Sequence, residues 1–321
     1  MKKSIILGAI AVIVIVGAGI YFWMSATRKA PEQNPGNAPT TSENQNNATP
    51  ENVATSTPEN TGAITAPATT TAESKTQEVI GNSVEGRDIT AYHFGSGNKE
   101  ILLVGGIHGG YSWNTTLLSY QLMDYLKANP SAIPANIKVT IIPILNPDGL
   151  SKIVSVVGPF TSSDVLTSAT AMVAGRFNAH TVDLNRNFDC GWKASGTWQN
   201  KAVSGGASAF SEPESIAIRD YAQAHNITAV VAWYSAGGGV YSSSCGNGIL
   251  SETQAINDIY AKASGYTGYK NFESYQVSGD MTDWFAKNSA AAIGVLLTTA
   301  KDTELAKNEA GIKAILQHYA E

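Results

Sequence analysis

Apolar and polar positions alternate along the chain in blocks that predict strands followed by helices. Residues 101–104 form a short apolar run that ends in glycines, and apolar side chains then recur at helical spacing from position 117 to position 125. This pattern is typical of a strand, a turn and a helix. His108 lies in the glycine turn, at the carboxyl end of the predicted strand, where open α/β sheets bind ligands.

The remaining blocks continue this alternation and predict an α/β domain with a mostly parallel or mixed sheet. A hairpin and further strands are expected over residues 79–80, 89–94, 138–145, 227–233 and 292–297. Helices are expected over residues 114–127, 211–225, 251–264, 281–288 and 303–319. Ser211 and Glu214 have the spacing of a capping box at the start of the second helix, and residues 146–149 carry a turn signal.

The start of the chain has a different pattern. Residues 5–24 form an uncharged apolar run of 20, which is long enough to cross a bilayer as one helix. We therefore interpret residues 1–26 as a membrane anchor, and the alternative is a cleaved signal peptide with its site near Ser25 and Ala26. Positive charges flank both ends of the run, so charge alone does not set its orientation.

Residues 27–76 are rich in Thr, Asn, Pro, Ala and Glu and have almost no large apolar side chains. Such a stretch buries too little surface to offset the entropy of ordering, so we expect a disordered linker. It has the composition of a stalk outside the cytoplasm. The chain is accordingly predicted to be a single-pass protein of the cell membrane whose remaining residues, 77–321, form one domain on the outer side.

Charge and cysteine content narrow the function further. The net charge of -5 is spread along the chain and leaves no basic patch of the kind that binds nucleic acid. The two cysteines, Cys190 and Cys245, both lie in loop-like surroundings. Outside the cytoplasm an even pair favours a disulfide, and the alternative is two free thiols.

Two short segments contain residues that could carry chemistry. His108 alone does not make a metal site, because zinc needs three protein ligands and an open position. The segment 183–188 places Arg186 between Asn185 and Asn187. An arginine fork with neighbouring amides suits a carboxylate, although a surface ion pair is the ordinary role of such a residue.

Taken in order, several segments resemble the zinc metallocarboxypeptidases of the carboxypeptidase A type. The segments that carry the resemblance are residues 83–89, 105–114, 146–149, 183–188, 210–214 and 279–284. The likeness covers nearly all of residues 78–321. It implies a single domain with a central mixed sheet flanked by helices, a zinc cofactor and hydrolysis of C-terminal peptide bonds.

Compared position by position, the resemblance implies that most of the zinc and catalytic groups are replaced. The first zinc histidine of the family matches His108. The zinc glutamate falls on Tyr111 or Ser112, the second zinc histidine on Tyr234, and the general-base glutamate on Leu296. None of these replacements is a good zinc ligand or a base at neutral pH, so we expect that zinc is not bound and that catalysis is lost.

The part of the family site that holds the substrate is retained. Asn185 and Arg186 match the pair that grips the terminal carboxylate, and Arg176 matches a further arginine that stabilises the oxyanion. The resemblance therefore implies that the C-terminal carboxylate of a peptide, or of a peptidoglycan stem, is the partner of this site.

Three functions follow from these observations. The first is a pseudoenzyme that binds peptide C-termini without cleaving them. The second is an active zinc carboxypeptidase that recruits other ligands, for which Asp189, Asp280 and Asp283 are candidates and His180 is the one further histidine near the site. The third is a structural or interaction domain on a stalk.

Overall fold

The computed structural model describes residues 76–156 and 158–320. The predicted anchor, and all of the predicted linker except its last residue, lie outside the described residues. Among the helices of the described part, none is long and apolar enough to cross a membrane.

The described residues form strands and helices in alternation. The strands are β1 (Gln77–Asn82), β2 (Asp88–Gly95), β3 (Lys99–Val104), β4 (Ile137–Ile142), β5 (Ser195–Trp198), β6 (Lys201–Ser204), β7 (Ile227–Ser235), β8 (Gly239–Ser242), β9 (Gly268–Tyr269) and β10 (Ala291–Leu297). The helices are α1 (Trp113–Ala128), α2 (Pro147–Ser151), α3 (Ala169–Ala174), α4 (Pro213–Ala224), α5 (Ser251–Ser264), α6 (Met281–Lys287) and α7 (Leu305–Ala320). Short 3-10 turns occur at Pro130–Ala132, Ser162–Asp164 and Leu184–Arg186.

Eight of these strands form one mixed sheet, which confirms the predicted architecture. Their order is β1-β2-β4-β3-β7-β10-β8-β9, and β5 pairs with β6 in a separate hairpin. The four central strands β4, β3, β7 and β10 run parallel to one another, and β2 and β8 flank them in antiparallel pairing. The carboxyl ends of the central strands therefore meet at one edge of the sheet.

Side chains of the central strands point alternately into two apolar cores. Ile101 and Leu103 of β3 lie in the core shared with α1, α5 and α7. Leu102 and Val104 lie in the core shared with α4 and α6. All four are essentially inaccessible to solvent. This alternation follows from the two-residue period of a strand, and it explains why the central strands are apolar on both faces.

Two local predictions were wrong. Helix α4 is not started by a capping box, because its N-cap is Glu212 and the Ser211 hydroxyl donates instead to the Glu212 carboxylate at 2.8 Å. The predicted turn at residues 146–149 is the start of helix α2, since the Asn146 side chain accepts from the Gly149 amide at 2.8 Å. Both segments therefore start helices, but the N-cap of α4 is Glu212 and not Ser211, and Asn146 caps a helix where a turn was predicted.

Candidate functional site

The carboxyl ends of β3, β7 and β10 open onto a cavity of about 760 Å³. It is lined by most of the side chains that the sequence singled out, namely His108, Tyr111, Arg176, Asn185, Arg186, Tyr234 and Leu296. These residues come from segments that lie far apart in the sequence, and the parallel strands bring them to one edge of the sheet.

The turn after β3 has the glycines that a close approach to α1 requires. Gly106 has a φ of +64°, and a Cβ at this position would lie 2.6 Å from the Thr116 hydroxyl of α1. Only glycine combines this backbone conformation with this contact. The tight turn holds His108 at the cavity with 5% of its surface exposed.

His108 and Asp183 are neighbours in the cavity wall, but the carboxylate belongs mainly to Arg176. The Arg176 guanidinium donates from Nε to Asp183 Oδ2 at 2.9 Å and pairs with it again through Nη2 at 2.8 Å. The His108 Nε2 atom lies 3.6 Å from Asp183 Oδ1, which is beyond hydrogen-bond distance. Both ring nitrogens of His108 lack a hydrogen-bond partner among the described residues.

The charges of this group follow from burial and from the arginine. Burial, together with the positive charge of Arg176, lowers the pKa of His108 to about 4. Burial alone would raise the pKa of the Asp183 carboxyl, but the guanidinium of Arg176 and the neighbouring His108 hold it well below its usual range. At neutral pH the site therefore contains a neutral imidazole and a fully paired carboxylate.

Arg186 is a buried cation of the site and has no carboxylate partner in the described part of the chain. Its Nη1 donates to the Asn185 carbonyl at 2.6 Å and its Nη2 donates to the Thr197 carbonyl at 3.1 Å. Its Nε has no partner within the described ranges, although the residue is only 1% exposed. A buried charge of this kind is costly unless an anion approaches it.

The backbone around Arg186 leaves little room for change. Strand β5 passes over the side chain, so that a Cβ at Gly196 would lie 2.9 Å from its Cδ. Gly279 has a φ of +65°, and a Cβ there would lie 2.2 Å from the Arg186 carbonyl oxygen. The close approach of the backbone at Gly196 and at Gly279, which lie far apart in the sequence, therefore fixes the position of the arginine.

Asn185 connects Arg186 to helix α6. Its Oδ1 accepts from the Met281 amide at 3.1 Å, and its Nδ2 donates to Asp280 Oδ2 at 2.6 Å. Asp280 is the N-cap of α6 and accepts from the amides of Thr282 and Asp283. One amide hydrogen of Asn185 remains for a ligand, and the orientation of the side chain is set by these bonds.

Apart from His108, the residues that the resemblance aligns with the zinc ligands are poor ligands for zinc. Tyr111 lines the cavity and packs edge-on against Trp198, whereas Ser112 is buried behind the wall and donates to the Ser235 carbonyl at 3.4 Å. Burial and the charges of Asp280 and Asp283 raise the pKa of Tyr234 well above its ordinary value, so its phenol stays protonated. In the described part of the chain, no group of three His, Cys, Asp or Glu side chains is arranged to hold a metal.

The other candidate metal ligands lie partly in the cavity and partly away from it. His180 lies outside the cavity wall and pairs with Glu212 at 2.8 Å, and Asp189 pairs with Lys287 at 2.8 Å on the surface. Asp280 and Asp283 do line the cavity. The structure therefore brings two of the alternative carboxylates to the site and leaves the other two residues away from it.

Two aromatic residues of the site were missed by sequence reasoning. Trp198, in the unpredicted hairpin β5-β6, stacks under the Arg176 guanidinium with 4.5 Å between the guanidinium carbon and the ring centre. Tyr275 lies over Arg186 at 5.7 Å. No sequence pattern marks Trp198, but Tyr275 lies four residues before Gly279, the start of the segment 279–284 that carried part of the resemblance, and this position was the available signal.

A disulfide connects two loops beside the cavity. Cys190 and Cys245 are joined with their Cα atoms 5.8 Å apart, across a separation of 55 residues. Ser244, adjacent to Cys245, donates its amide to Asp283 Oδ1 at 2.8 Å. The disulfide thus restrains the loop that holds this carboxylate.

Comparisons with known proteins agree with this architecture. The sequence model of the zinc carboxypeptidase family matches residues 64–320. Carboxypeptidase Z of Gallus gallus is 31% identical over 122 residues, which is 34% of this chain and 18% of that protein. The matched segment therefore spans less than a fifth of the length of this curated relative.

Solved structures share the fold at low sequence identity. Carboxypeptidase A from Helicoverpa armigera superposes with a TM-score of 0.56 and 22% identity, over 76% of this chain and 67% of that one. Bovine thrombin-activatable fibrinolysis inhibitor, in complex with tick carboxypeptidase inhibitor, gives a TM-score of 0.60 and 17% identity, over 75% and 89% of the two chains.

Proposed function

The chain belongs to the zinc carboxypeptidase family, and we propose that its domain is a non-catalytic member that binds the C-terminal carboxylate of a peptide. The single observation that carries the proposal is Arg186, a buried guanidinium that faces the cavity without a carboxylate partner among the described residues. A charge-assisted hydrogen bond to a carboxylate contributes on the order of 1.5–3 kcal/mol, and a bidentate contact adds directionality.

Three polar residues near Arg186 in the cavity do not compete for this role. Arg176 is already neutralised by Asp183, and His108 is uncharged at neutral pH. Asn185 adds one amide hydrogen beside Arg186. We therefore assign carboxylate binding to Arg186, with Asn185 as its neighbour and Arg176 as part of the wall.

Hydrolysis requires groups that this cavity replaces. A family enzyme polarises the peptide carbonyl with zinc and removes a proton from water with a carboxylate. The sequence resemblance aligns Leu296 with that carboxylate, and Tyr234, which lines the same cavity, carries a phenol whose pKa is raised well above its ordinary value. Binding and cleavage are thus separated, because the contacts to the terminal carboxylate do not depend on the reactive groups.

The partner and the location remain part of the proposal. The apolar run at residues 5–24 and the polar stretch that follows it support a domain tethered to the cell membrane and placed outside the cytoplasm. In that location the ligand is a peptide C-terminus or the end of a peptidoglycan stem. Both present the same free carboxylate to Arg186.

Isothermal titration calorimetry of the full chain tests the proposal. We expect a free-acid peptide to bind and the same peptide with an amidated C-terminus to bind at least about tenfold more weakly, because the charged hydrogen bond is lost. Arg186→Met should abolish this difference. The matched control is Arg219→Met, which removes a guanidinium that pairs with Asp220 outside the cavity.

Two results would overturn the proposal. One is equal binding of the acid and the amide by the unaltered chain, a comparison that does not depend on whether any variant folds. The other is full preference for the acid in a folded Arg186→Met protein.

A further inference from the structure

Tyr234 and Leu296 lie side by side at the edge of the sheet. Strands β7 and β10 are parallel neighbours, and their register pairs Tyr234 directly with Leu296. Both side chains line the cavity. The resemblance aligns the first with a zinc ligand and the second with the general base, so the two replacements form one continuous part of the cavity wall.

The surroundings of Tyr234 are shaped to hold its ring. A Cβ at Gly294 of β10 would lie 3.2 Å from Tyr234 Cε2, inside the ordinary carbon–carbon contact distance of about 3.5–4.0 Å. The centre of the His108 ring lies 5.6 Å from that of Tyr234. Tyr234 is 8% exposed. Packing from neighbouring strands therefore fixes the ring, and with it the place of the hydroxyl in the wall.

The Tyr234 hydroxyl is connected to Arg186 through one residue, Asn185. The hydroxyl donates to Asn185 Oδ1 over 3.5 Å, and the backbone carbonyl of Asn185 accepts from Arg186 Nη1 at 2.6 Å. The hydroxyl contact is longer than an ordinary O–H···O bond of about 2.5–3.0 Å. Its acceptor is also engaged by the Met281 amide at 3.1 Å. The hydroxyl hydrogen is therefore weakly held and available to a better acceptor.

The chemistry of this phenol suits a carbonyl oxygen. A phenol is protonated at neutral pH, and burial together with the charges of Asp280 and Asp283 raises the pKa of Tyr234 further. It is therefore a hydrogen-bond donor. A family enzyme polarises the carbonyl with zinc, whereas a neutral hydroxyl holds the same oxygen without acting as a Lewis acid. Arg176 is less suited to this contact, because Asp183 engages its Nε at 2.9 Å and its Nη2 at 2.8 Å.

We propose that Tyr234 donates a hydrogen bond to the carbonyl oxygen of the last peptide bond of the ligand, in place of the metal of a family enzyme. The inference rests on the proposed function, since Arg186 must hold the terminal carboxylate for that carbonyl to reach the hydroxyl. In the ligand, the backbone of one residue separates the carboxylate from the carbonyl. In the wall, Asn185 alone separates the guanidinium from the hydroxyl. The two donors thus orient the last residue of the peptide.

The test compares two free-acid peptides by calorimetry with the full chain. One is a natural peptide, and in the other an alkene isostere replaces the last peptide bond and so lacks its carbonyl. We expect the unaltered chain to bind the natural peptide about fivefold to tenfold more tightly, the effect of one hydrogen bond. Tyr234→Phe keeps the ring against Gly294 and should bind the two peptides within about twofold of each other. Its preference for a free acid over an amidated C-terminus should persist.

The matched control is Tyr125→Phe, which removes a phenol hydroxyl from α1 outside the cavity and should keep the full difference between the peptides. The inference is overturned if the unaltered chain binds both peptides equally, a result that needs no variant, or if Tyr234→Phe keeps the full difference. In these two cases the proposed function stands, provided that amidation of the C-terminus still weakens binding. If amidation has no effect, the proposed function fails and this inference fails with it.

Discussion

Two buried polar groups lie at opposite ends of the same parallel strands, and they differ in how completely they are paired. At the amino ends of β3 and β4 lies the Glu100 cluster, which consists of Glu100, Lys138, Thr140, Tyr221 and His225. Glu100 accepts from Thr140 and Tyr221 through one oxygen, and from Lys138 at 2.7 Å and His225 at 3.2 Å through the other. Burial alone would raise the pKa of the Glu100 carboxyl, but the bonds from Lys138, Thr140 and Tyr221 lower it.

At the carboxyl ends of the same strands, the cavity leaves polar atoms open. The nitrogens of His108 and the Nε of Arg186 have no partners within the described ranges. A buried charge that serves only the fold is paired from all sides, whereas a charge that serves a ligand must keep a direction free. The Glu100 cluster therefore fits a structural role, whereas the open polar atoms of the cavity fit the proposed role in binding a ligand.

The strongest way to break this comparison is to remove the carboxylate of the Glu100 cluster. Glu100→Leu leaves Lys138, Thr140 and Tyr221 without their shared acceptor. We expect the free energy of unfolding to fall by about 3–5 kcal/mol, as for other broken buried pairs, with peptide binding retained. Urea denaturation of the full chain measures the loss.

Arg186→Met provides the contrast to this variant. Its unfolding free energy should change by no more than about 1.5 kcal/mol, because the loss of two carbonyl contacts is offset by removal of an unpaired buried charge. The distinction between the two regions would be lost if Glu100→Leu were as stable as the parent. It would also be lost if Arg186→Met were the less stable of the two variants.

A smaller effect is expected from the pH dependence of His108. Its pKa of about 4 in the fold is below the value of about 6.5 in the unfolded chain, so the unfolded state binds more protons between these values. Stability should therefore fall as the pH decreases from about 6.5 to about 4, by up to about 3 kcal/mol from this group.

His108→Gln should remove that part of the acid sensitivity. The difference between the two proteins in urea denaturation, measured from pH 7 to pH 4.5, isolates the imidazole, because the carboxylates are common to both proteins. If the difference in unfolding free energy between the two proteins does not vary with pH across this range, the imidazole is not held neutral by burial and by Arg176.

Much of the fold was predictable from local pattern. The apolar runs of β3, β7 and β10 and the periodicity of α1, α5 and α7 located the sheet and its layers, because burial on one or two faces leaves a periodic trace in the sequence. The short hairpin β5-β6 was missed, since its residues are small, polar or charged apart from a few side chains such as Trp198. Its position depends on contacts with Arg186 and not on a periodic pattern.

Several polar residues of the cavity were predictable from the sequence, but the contacts between them were not. The segment 183–188 identified Asn185 and Arg186, and the resemblance to the family added Arg176. The sequence did not indicate that Arg176 is paired with Asp183 while the Nε of Arg186 has no partner among the described residues. It left Tyr111 and Ser112 as alternatives, and only the structure places Tyr111 in the cavity. Such distinctions arise from contacts between segments far apart in the chain, such as Asn185 with Asp280.

Binding of a peptide C-terminus without cleavage is tested most directly by incubating the full chain with added zinc and a free-acid peptide. Binding is followed by calorimetry and the integrity of the peptide by mass spectrometry. We predict saturable binding and an intact peptide after prolonged incubation. Release of the terminal residue that stops when a chelator is added, and that is absent in Arg186→Met, would contradict this prediction and show a working zinc carboxypeptidase.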